Sequence, residues 1–333
     1  MQVTELSDAS RVSPAALAAL AADADLPMCA TCATQYPAPR RNCPVCDDPR
    51  QYVPGSGQAW TTLGKLIEEG RKNIVMQDKE DERIKLLGTV PSFAISQSPF
   101  LIETNGGSYI WDCMGTLTPA LVDYLTHLKT PLKAMAISHP HFFSTSLTWS
   151  RVLGVSLFIN SEDRHWYQRD DDLKPTDKVK FWNGKQDIGP GVTLVQCGGH
   201  FPGSSVLFWD RAAEPAGAKS ADGSAPAPTN GLLLTADTIM VQPTQKGFTF
   251  MWSYPNMVPL EPIEMLKVVQ SIQHLDYGAV SSAWPDRFVR HDAKKQMLES
   301  VAVYLDQTGW EQDDTEHGAL RPKATGRGRF LAG

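Results

Sequence analysis

Residues 134–146 read AMAISHPHFFSTS, an apolar run that ends in two histidines separated by a single residue. The apolar half is typical of a buried strand. Side chains two apart on an extended segment point the same way, so His139 and His141 are expected on one side of the chain. Two imidazoles at a strand end are a common beginning of a metal site. A pair of loop histidines without a metal is the alternative at this point.

Two later stretches also place a polar residue directly after an apolar strand. VTLVQCGGHFPGSS, residues 192–205, puts His200 in a loop whose glycines allow the backbone to turn tightly around the imidazole. GLLLTAD, residues 231–237, ends a wholly apolar run on Asp237, and a carboxylate buried there needs a partner. An ordinary turn histidine, and a helix N-cap or a buried salt bridge, are the alternatives for these two residues.

The order of these pieces is more informative than any one of them. WDCMG, residues 111–115, adds Asp112 after an earlier strand. The series resembles the metallo-β-lactamase superfamily over about residues 84–305. The resemblance implies an α/β fold, the four-layer αβ/βα sandwich, with a metal in a cleft between two sheets. It also implies that Asp112 supports the site and that the metal ligands are His139, His141, His200 and Asp237.

This sequence departs from the family pattern on one side of the expected site. The family's aspartate and histidine that follow H-x-H, which help to hold a second metal, fall here on Phe143 and Ser144. The family's late histidine falls near Trp284, and His291 is a poorly placed substitute for it. The sequence therefore predicts one metal ion rather than two.

The resemblance implies a metal-dependent hydrolase that acts on a small-molecule substrate. A zinc-bound water would attack an ester, thioester, lactone or amide carbonyl. Asp237 is the expected catalytic carboxylate, which binds the metal weakly or takes the proton of the nucleophile. Two other functions stay open. One is an iron oxygenase of the persulfide dioxygenase kind, with His139, His200 and Asp237 around Fe²⁺. The other is a non-catalytic scaffold.

A second metal site is predicted near the N-terminus by two Cys-x-x-Cys pairs. Residues 29–32 read CATC and residues 43–46 read CPVC. Two such pairs can close a tetrahedral four-thiolate site, which suits zinc, and ligation would stabilise a segment too short and polar to fold by burial alone. Such a site has no open position, so its expected role is structural. The predicted ligands are Cys29, Cys32, Cys43 and Cys46, in a segment that resembles zinc ribbons and rubredoxins. A rubredoxin-like iron site, and free thiols or disulfides, are the alternatives, and docking of a partner is the alternative role.

The remaining pattern divides the chain into four parts: an N-terminal helix over residues 1–25, the four-cysteine segment over 26–60, the large domain over 61–310 and a C-terminal tail over 311–333. A low-complexity stretch at 211–230 predicts a flexible insertion. Inside the large domain, strands alternate with helices, which favours a layered α/β fold. Strands are predicted at 93–97, 100–104, 108–112, 132–138, 155–160, 192–197, 205–210 and 231–237, and helices at 118–128, 146–154, 261–276 and 292–306.

Composition narrows the expected partners. The formal net charge is -6, so no basic surface that would favour nucleic acid or an anionic membrane is indicated. No apolar run approaches the roughly 20 residues of a membrane span, and the polar N-terminus is unlike a signal peptide. We therefore expect a cytoplasmic protein that binds neither nucleic acid nor membrane. A homodimer formed through the zinc segment is a further expectation.

Overall fold

The computed structural model describes residues 1–213, 230–312 and 320–323. The helices are α1 (Pro14–Asp23), α2 (Pro44–Asp47), α3 (Leu63–Glu68), α4 (Pro119–Thr126), α5 (Ser146–Leu153), α6 (Pro262–Ile272) and α7 (Ala293–Thr308). The first ten strands are β1 (Gln2–Glu5), β2 (Met28–Cys29), β3 (Trp60–Thr61), β4 (Lys72–Gln77), β5 (Ile84–Val90), β6 (Phe100–Thr104), β7 (Gly107–Trp111), β8 (Leu132–Ala136), β9 (Ser156–Asn160) and β10 (Val179–Trp182). The later strands are β11 (Lys185–Gly189), β12 (Val192–Gln196), β13 (Ser205–Trp209), β14 (Gly231–Leu234), β15 (Met240–Val241), β16 (Phe248–Thr249), β17 (Met251–Ser253), β18 (Val258–Pro259), β19 (Tyr277–Ser281), β20 (Phe288–Val289), β21 (Trp310–Gln312) and β22 (Leu320–Pro322).

Two large mixed sheets form the centre of the fold. The first has eight strands in the order β1-β4-β5-β6-β7-β8-β9-β10, and the second has six in the order β11-β12-β13-β14-β19-β20. Strands β7, β8 and β9 run parallel, because α4 and α5 cross between them. In the second sheet β14 and β19 are parallel, with α6 in the connection. The carboxyl ends of the parallel strands β7, β8 and β14 carry three of the loops that build the site, and the antiparallel strand β12 carries the fourth.

Strand alternation shows how the layers are stacked. Leu232 and Leu234 of β14 face the core between the two sheets, whereas Leu233 faces the core under α6 and α7. In β8, Ala136 faces the inter-sheet core and Met135 faces the core shared with α1, α4 and α5. Each sheet therefore has one face on the other sheet and one face under helices. The expected αβ/βα sandwich is confirmed, and each fully buried leucine stabilises it by roughly 1.5–3 kcal/mol.

Helix ends follow the expected local signals. The Thr118 side chain accepts a hydrogen bond from the backbone N–H of Leu121, and Pro119 occupies the first turn of α4. Gly154 ends α5 in the left-handed region at φ 67°, where a glycine is least strained. Both helices lie within one or two residues of their predicted positions.

The sequence interpretation is wrong in three places. Residues 1–25 are more than a helix, because β1 pairs with β4 at the edge of the first sheet, so the sandwich already begins there. The four side chains of β1 are exposed and not apolar enough to predict a strand. Residues 93–97, predicted as a strand, form a loop in which Ala94 and Ser96 have positive φ angles. Part of the tail forms the β21–β22 hairpin.

Most of the predicted insertion at 211–230 and most of the tail at 311–333 lie outside the described residues. In the described part of the chain, no helix combines the length and apolar character needed to cross a membrane.

Candidate metal centre

The first two histidines follow β8 directly. His139 is extended, and residues 140–142 then form one turn of 3-10 helix that begins at Pro140. The expected continuous extended segment is therefore wrong, because proline fixes φ near the helical value. The two imidazoles still meet, with ring centroids 5.0 Å apart at a steep angle.

His200 stands in the loop between β12 and β13. Gly198 and Gly199 have φ angles of 72° and 81°, a region that other residues adopt only under strain. A Cβ on Gly199 would lie 2.7 Å from the Val268 side chain, so this loop also packs closely on α6. The imidazole Nδ1–H of His200 donates to the carbonyl of Met251 at 3.1 Å. Because the proton of this ring is on Nδ1, Nε2 of His200 carries the lone pair, and this atom faces the other histidines.

Asp237 follows β14 and is positioned by strained backbone. Ala236 has a φ of 64°, an uncommon value for a residue with a side chain. The hydroxyl of Tyr254 donates to the Asp237 carbonyl at 3.0 Å. These features turn the carboxylate toward the histidine loops.

The four side chains converge on one point. Asp237 Oδ2 lies 3.5 Å from His139 Nε2, 3.9 Å from His141 Nδ1 and 3.8 Å from His200 Nε2. His141 Nδ1 and His200 Nε2 are 3.2 Å apart, and all four donor atoms lie within 4.8 Å of one another. Zinc bound tetrahedrally at about 2.0–2.1 Å places its donors roughly 3.3 Å apart. The observed spacing therefore fits a single zinc-sized cation.

Burial of the cluster supports the same conclusion. The three histidine side chains are between 0 and 2% exposed, and that of Asp237 is 7% exposed. Asp237 Oδ1, His139 Nε2 and His141 Nε2 have no hydrogen-bond partner among the described residues. Buried polar atoms without partners are costly. A cation at the centre would satisfy His139 Nε2 directly and would compensate the buried carboxylate.

The protonation states also suit metal binding. Burial lowers the pKa of His141 to about 4 and that of His200 well below its ordinary value, so both imidazoles are neutral at neutral pH. Burial alone would raise the pKa of Asp237, but its contacts with His139 and His141 outweigh that effect and hold the pKa well below its usual range. Neutral imidazoles and an ionised carboxylate are the forms that bind metals.

Asp112 lies behind the ligands. Its backbone has a φ of 73°, and its carboxylate accepts a hydrogen bond from the backbone N–H of Ser138 at 2.7 Å. The Ser138 hydroxyl in turn lies 2.9 Å from Nδ1 of His139. Burial raises the pKa of Asp112 to about 7. Ser138 thus connects Asp112 to His139, and the supporting role of Asp112 stays a prediction.

The two positions expected to hold second-metal ligands carry a phenyl ring, Phe143, and a buried hydroxyl, Ser144, so neither offers an imidazole or a carboxylate. Phe143 is buried and packs edge-on against Tyr167 with centroids 5.2 Å apart. Trp284 packs against Phe142 at 6.3 Å, and Phe142 contacts His139 at 5.1 Å. His291 is exposed and stands apart from the cluster. Within the described ranges, the only other group of three or more potential ligands is the cysteine quartet.

The four cysteines form the second candidate metal site. Cys29 and Cys46 Sγ atoms are 3.7 Å apart, and those of Cys32 and Cys43 are 3.6 Å apart. Zinc–thiolate bonds of about 2.3 Å place sulfurs roughly 3.8 Å apart, whereas a disulfide bond is about 2.05 Å long. All four cysteines are buried and unbridged. The geometry therefore fits a tetrahedral thiolate-bound ion.

Donors from nearby side chains complete this site. The Tyr36 hydroxyl lies 2.9 Å from Cys43 Sγ, and Gln58 Nε2 donates to Cys29 Sγ at 3.2 Å. Hydrogen bonds of this kind stabilise charged ligands. Ala33, which follows the first Cys-x-x-Cys pair, adopts a positive φ of 63°.

Two side chains near the histidine cluster were not found from the sequence. Arg50 donates to the His200 carbonyl at 3.2 Å and lies over the Phe201 ring at 3.8 Å. Asp163 accepts the backbone N–H of Gly203 at 2.8 Å, in the same loop. Both are far from His200 in sequence and belong to no motif, so only the folded chain reveals them.

Asp163 leads to a prediction about pH. Burial raises its pKa to about 6, above the value of about 3.9 expected in an unfolded chain. Between about pH 4 and 6 the folded chain keeps a proton that the unfolded chain has released, so this contribution to stability is lost as pH rises through 6. Asp163→Asn keeps the acceptor for Gly203 and removes the titration. We expect urea unfolding to show that the free energy of unfolding of the variant, relative to that of the natural protein, rises by about 1–2 kcal/mol from pH 4.5 to 6.5.

The exposed Asp171→Asn variant is the control for this measurement. Its stability difference from the natural protein should stay constant with pH. A constant difference for Asp163→Asn as well would show that Asp163 does not titrate in this range.

The order of the helix and sheet layers and the position of the histidine site define the chain as a metallo-β-lactamase-fold protein with an added four-cysteine segment. The chain belongs to the same family as the uncharacterized protein YmaE of Bacillus subtilis strain 168. The two are 31% identical over 282 residues, which cover 84% of this chain and 95% of YmaE. No protein-family model matches the chain.

Solved structures show distant likenesses. DIM-1 metallo-β-lactamase matches with 13% identity and a TM-score of 0.45, over 69% of this chain and 97% of that one. A metallo-β-lactamase from Pontibacter korlensis matches with 13% identity and a TM-score of 0.44, over 70% and 97%. A quorum-quenching N-acyl homoserine lactone lactonase matches with 19% identity and a TM-score of 0.30, over 46% and 62%. The fold assignment rests on the layers and the site geometry rather than on these likenesses.

Proposed function

We propose that this protein is a zinc-dependent hydrolase with one catalytic ion, acting on an ester, thioester, lactone or amide carbonyl of a small molecule. The observation that carries the proposal is the convergence of three imidazole nitrogens and one carboxylate oxygen, from three separate loops, within 4.8 Å of one another. Three histidines and a carboxylate are hard-to-borderline donors that zinc accepts.

Tautomers of the imidazoles follow from their outer contacts. Because the Met251 carbonyl accepts the Nδ1–H of His200, Nε2 of that ring is the ligand atom. The Ser138 hydroxyl, 2.9 Å from His139 Nδ1, can accept the Nδ1–H of that ring and so leave His139 Nε2 for the cation. His141 differs, since its Nδ1 faces the cluster. The outer contacts therefore fix the ligand atom of His200 and permit that of His139, whereas the Nδ1 of His141 is chosen by its position.

A zinc ion held by the three imidazole nitrogens and Asp237 Oδ2 would bind a water beside these four donors, would lower the pKa of that water toward about 7 and would polarise a carbonyl. Asp237 presents Oδ2 to the three nitrogens and leaves Oδ1 without a hydrogen-bond partner in the described structure. Oδ1 is therefore the acceptor for a proton released during attack.

A substrate would reach the centre past Asp237. The histidine side chains are essentially unexposed, and the Asp237 side chain is the most exposed of the four. Apolar surroundings such as Phe142 and Trp284 exclude water and strengthen electrostatic interactions with a bound substrate. Uncharged carbonyl compounds suit such a site.

The test is hydrolysis by the purified full-length protein of p-nitrophenyl esters, a thioester and a lactone. We expect activity in the natural protein and a loss of about 10²–10⁴-fold in kcat for Asp237→Asn, because an amide of the same shape accepts no proton. Asp276→Asn, at an exposed position outside the site, is the matched control and should leave activity unchanged.

Elemental analysis distinguishes the competing functions. Zinc beyond one ion per chain supports hydrolysis. Iron at the histidine site, with oxygen consumption and no hydrolysis, would establish the oxygenase instead. One zinc per chain with no activity on any substrate would indicate a scaffold.

A further inference from the structure

The segment that leaves the four-cysteine site, residues 48–51, lies against the loop that carries His200. We propose that Arg50 is a positioning residue for His200, and that through it the four-cysteine segment and the histidine site are energetically linked. The expected effect on metal binding rests on the proposed function. The expected effect on the His200 loop rests on the structure alone.

Arg50 makes three kinds of contact at once. Its Nε and Nη2 atoms donate to the two carboxylate oxygens of Asp48 at 2.7 and 2.9 Å, and Nη1 donates to the His200 carbonyl at 3.2 Å. Its guanidinium also lies 3.8 Å from the centroid of the Phe201 ring. Only 13% of its side chain is exposed. A planar group that is paired, stacked and mostly buried holds one orientation, so the carbonyl that it contacts is held as well.

The His200 loop depends on the contact with Arg50 because its two glycines allow many backbone conformations. Gly198 and Gly199 both have positive φ angles, and glycine loses more conformational freedom on folding than any other residue. His200 lies between these glycines and β13, and two contacts restrain it. The Met251 carbonyl holds the His200 ring, and Arg50 holds the His200 backbone. Ring and backbone must both be fixed for Nε2 to point at the cation.

A single hairpin provides the frame for both contacts. Strand β17 supplies the Met251 carbonyl, and Ser253 at its end donates its hydroxyl to the Arg50 carbonyl at 3.1 Å. Asn256 in the hairpin turn donates its Nδ2 to the carbonyls of Pro49 at 2.8 Å and Gln51 at 3.0 Å. The backbone on both sides of Arg50 is thus fixed relative to the group that orients the His200 ring.

A second bridge joins the four-cysteine segment to the other histidine loop. Gln97 Nε2 donates to the Cys32 carbonyl at 2.9 Å and contacts the His141 carbonyl at 3.4 Å. Gln97 is buried and comes from the loop at 93–97. The segment therefore contacts the His200 backbone directly through Arg50 and the His141 backbone through Gln97, so it packs against the histidine site.

Arg50→Ala tests the proposal, and Arg40→Ala is its matched control. Arg40 belongs to the same segment, lies over the Tyr36 ring at 4.6 Å and donates its Nε to the Asn42 carbonyl at 2.7 Å, without contact to the histidine loops. Cobalt is titrated into the metal-free full-length proteins. Thiolate-bound cobalt shows sulfur-to-metal charge-transfer absorption, whereas histidine-bound cobalt shows only visible d–d bands, so each site is followed separately.

We expect Arg50→Ala to weaken cobalt binding at the histidine site by about 10–100-fold, the usual effect of losing a group that orients a ligand. The d–d spectrum of cobalt at the histidine site should change in this variant, whereas the charge-transfer absorption of cobalt at the cysteine site should stay as in the natural protein. Arg50→Lys should be intermediate, since it keeps the charge and loses the fork. Arg40→Ala should bind cobalt normally at both sites. Unchanged affinity and spectrum in Arg50→Ala would overturn the proposal.

Amide hydrogen exchange gives a readout that needs no metal. Arg50→Ala should accelerate exchange in residues 198–204 of the metal-free protein, and Arg40→Ala should not. Equal exchange in the two variants would refute the positioning role. If exchange changed as expected while the natural protein bound cobalt only at its cysteines, the proposed hydrolase would fail and the positioning of the loop would stand.

Discussion

Replacing His200 by alanine is expected to remove one metal ion per chain and to reduce hydrolysis by on the order of 10⁴-fold, as the loss of a central catalytic group does. The His200 side chain is fully buried within the cluster, so no neighbouring group can take its place. The remaining nitrogens and carboxylate form an incomplete site with weak affinity. The metal content measured by mass spectrometry should fall from about two ions to about one.

The fold should survive this change, because the sandwich cores and the cysteine site do not depend on His200. His274→Ala, an exposed histidine outside the cluster, is the matched control and should keep both ions and full activity. An unchanged metal content in His200→Ala would show that the histidine assigned here is not a ligand.

Replacing Cys46 by serine is expected to remove the other ion and to destabilise the N-terminal part of the chain. Structural zinc contributes roughly 10–16 kcal/mol of binding free energy in small zinc-finger domains, where binding and folding are linked. Around the cysteines the described core is small and consists mainly of Tyr36 and Val45. We therefore expect a loss of several kcal/mol in the free energy of unfolding, rapid proteolysis within residues 26–60 and one zinc fewer.

Cys197→Ser provides the comparison for Cys46→Ser. Cys197 is buried under α6, outside both metal sites, and its replacement should cost only about 1–2 kcal/mol with both ions retained. If Cys46→Ser were no less stable than Cys197→Ser and kept its zinc, the thiolate site would be wrong. Because Arg50 lies in this segment, four residues after Cys46, Cys46→Ser should also weaken metal binding at the histidine site.

Local sequence pattern was enough to predict the strands around the site and the residues that the structure brings together there. The strands that precede His139, His200 and Asp237 could be recognised because each is an apolar run followed within a few residues by a polar side chain. Helix α4 could be recognised from Thr118 and Pro119, which cap and start it. In each case the deciding residues lie within a few positions of one another.

Features that depend on distant contacts were missed. Strand β1 has exposed, mixed side chains and is held by main-chain bonds to β4, some 70 residues away. The loop at 93–97 alternates like a strand, yet its positive φ angles turn Gln97 inward to the histidine loop. Arg50 lies 150 positions before His200. Such pairings are decided by tertiary packing, which overrides local preference.

Anomalous X-ray diffraction at the zinc absorption edge, from crystals of the purified full-length protein, would locate both ions. Two peaks per chain are expected. One should lie equidistant from the four cysteine sulfurs. The other should lie about 2.0–2.2 Å from His139 Nε2, His141 Nδ1, His200 Nε2 and Asp237 Oδ2. A single peak at the cysteines, with ordered histidines and no anomalous density between them, would contradict it.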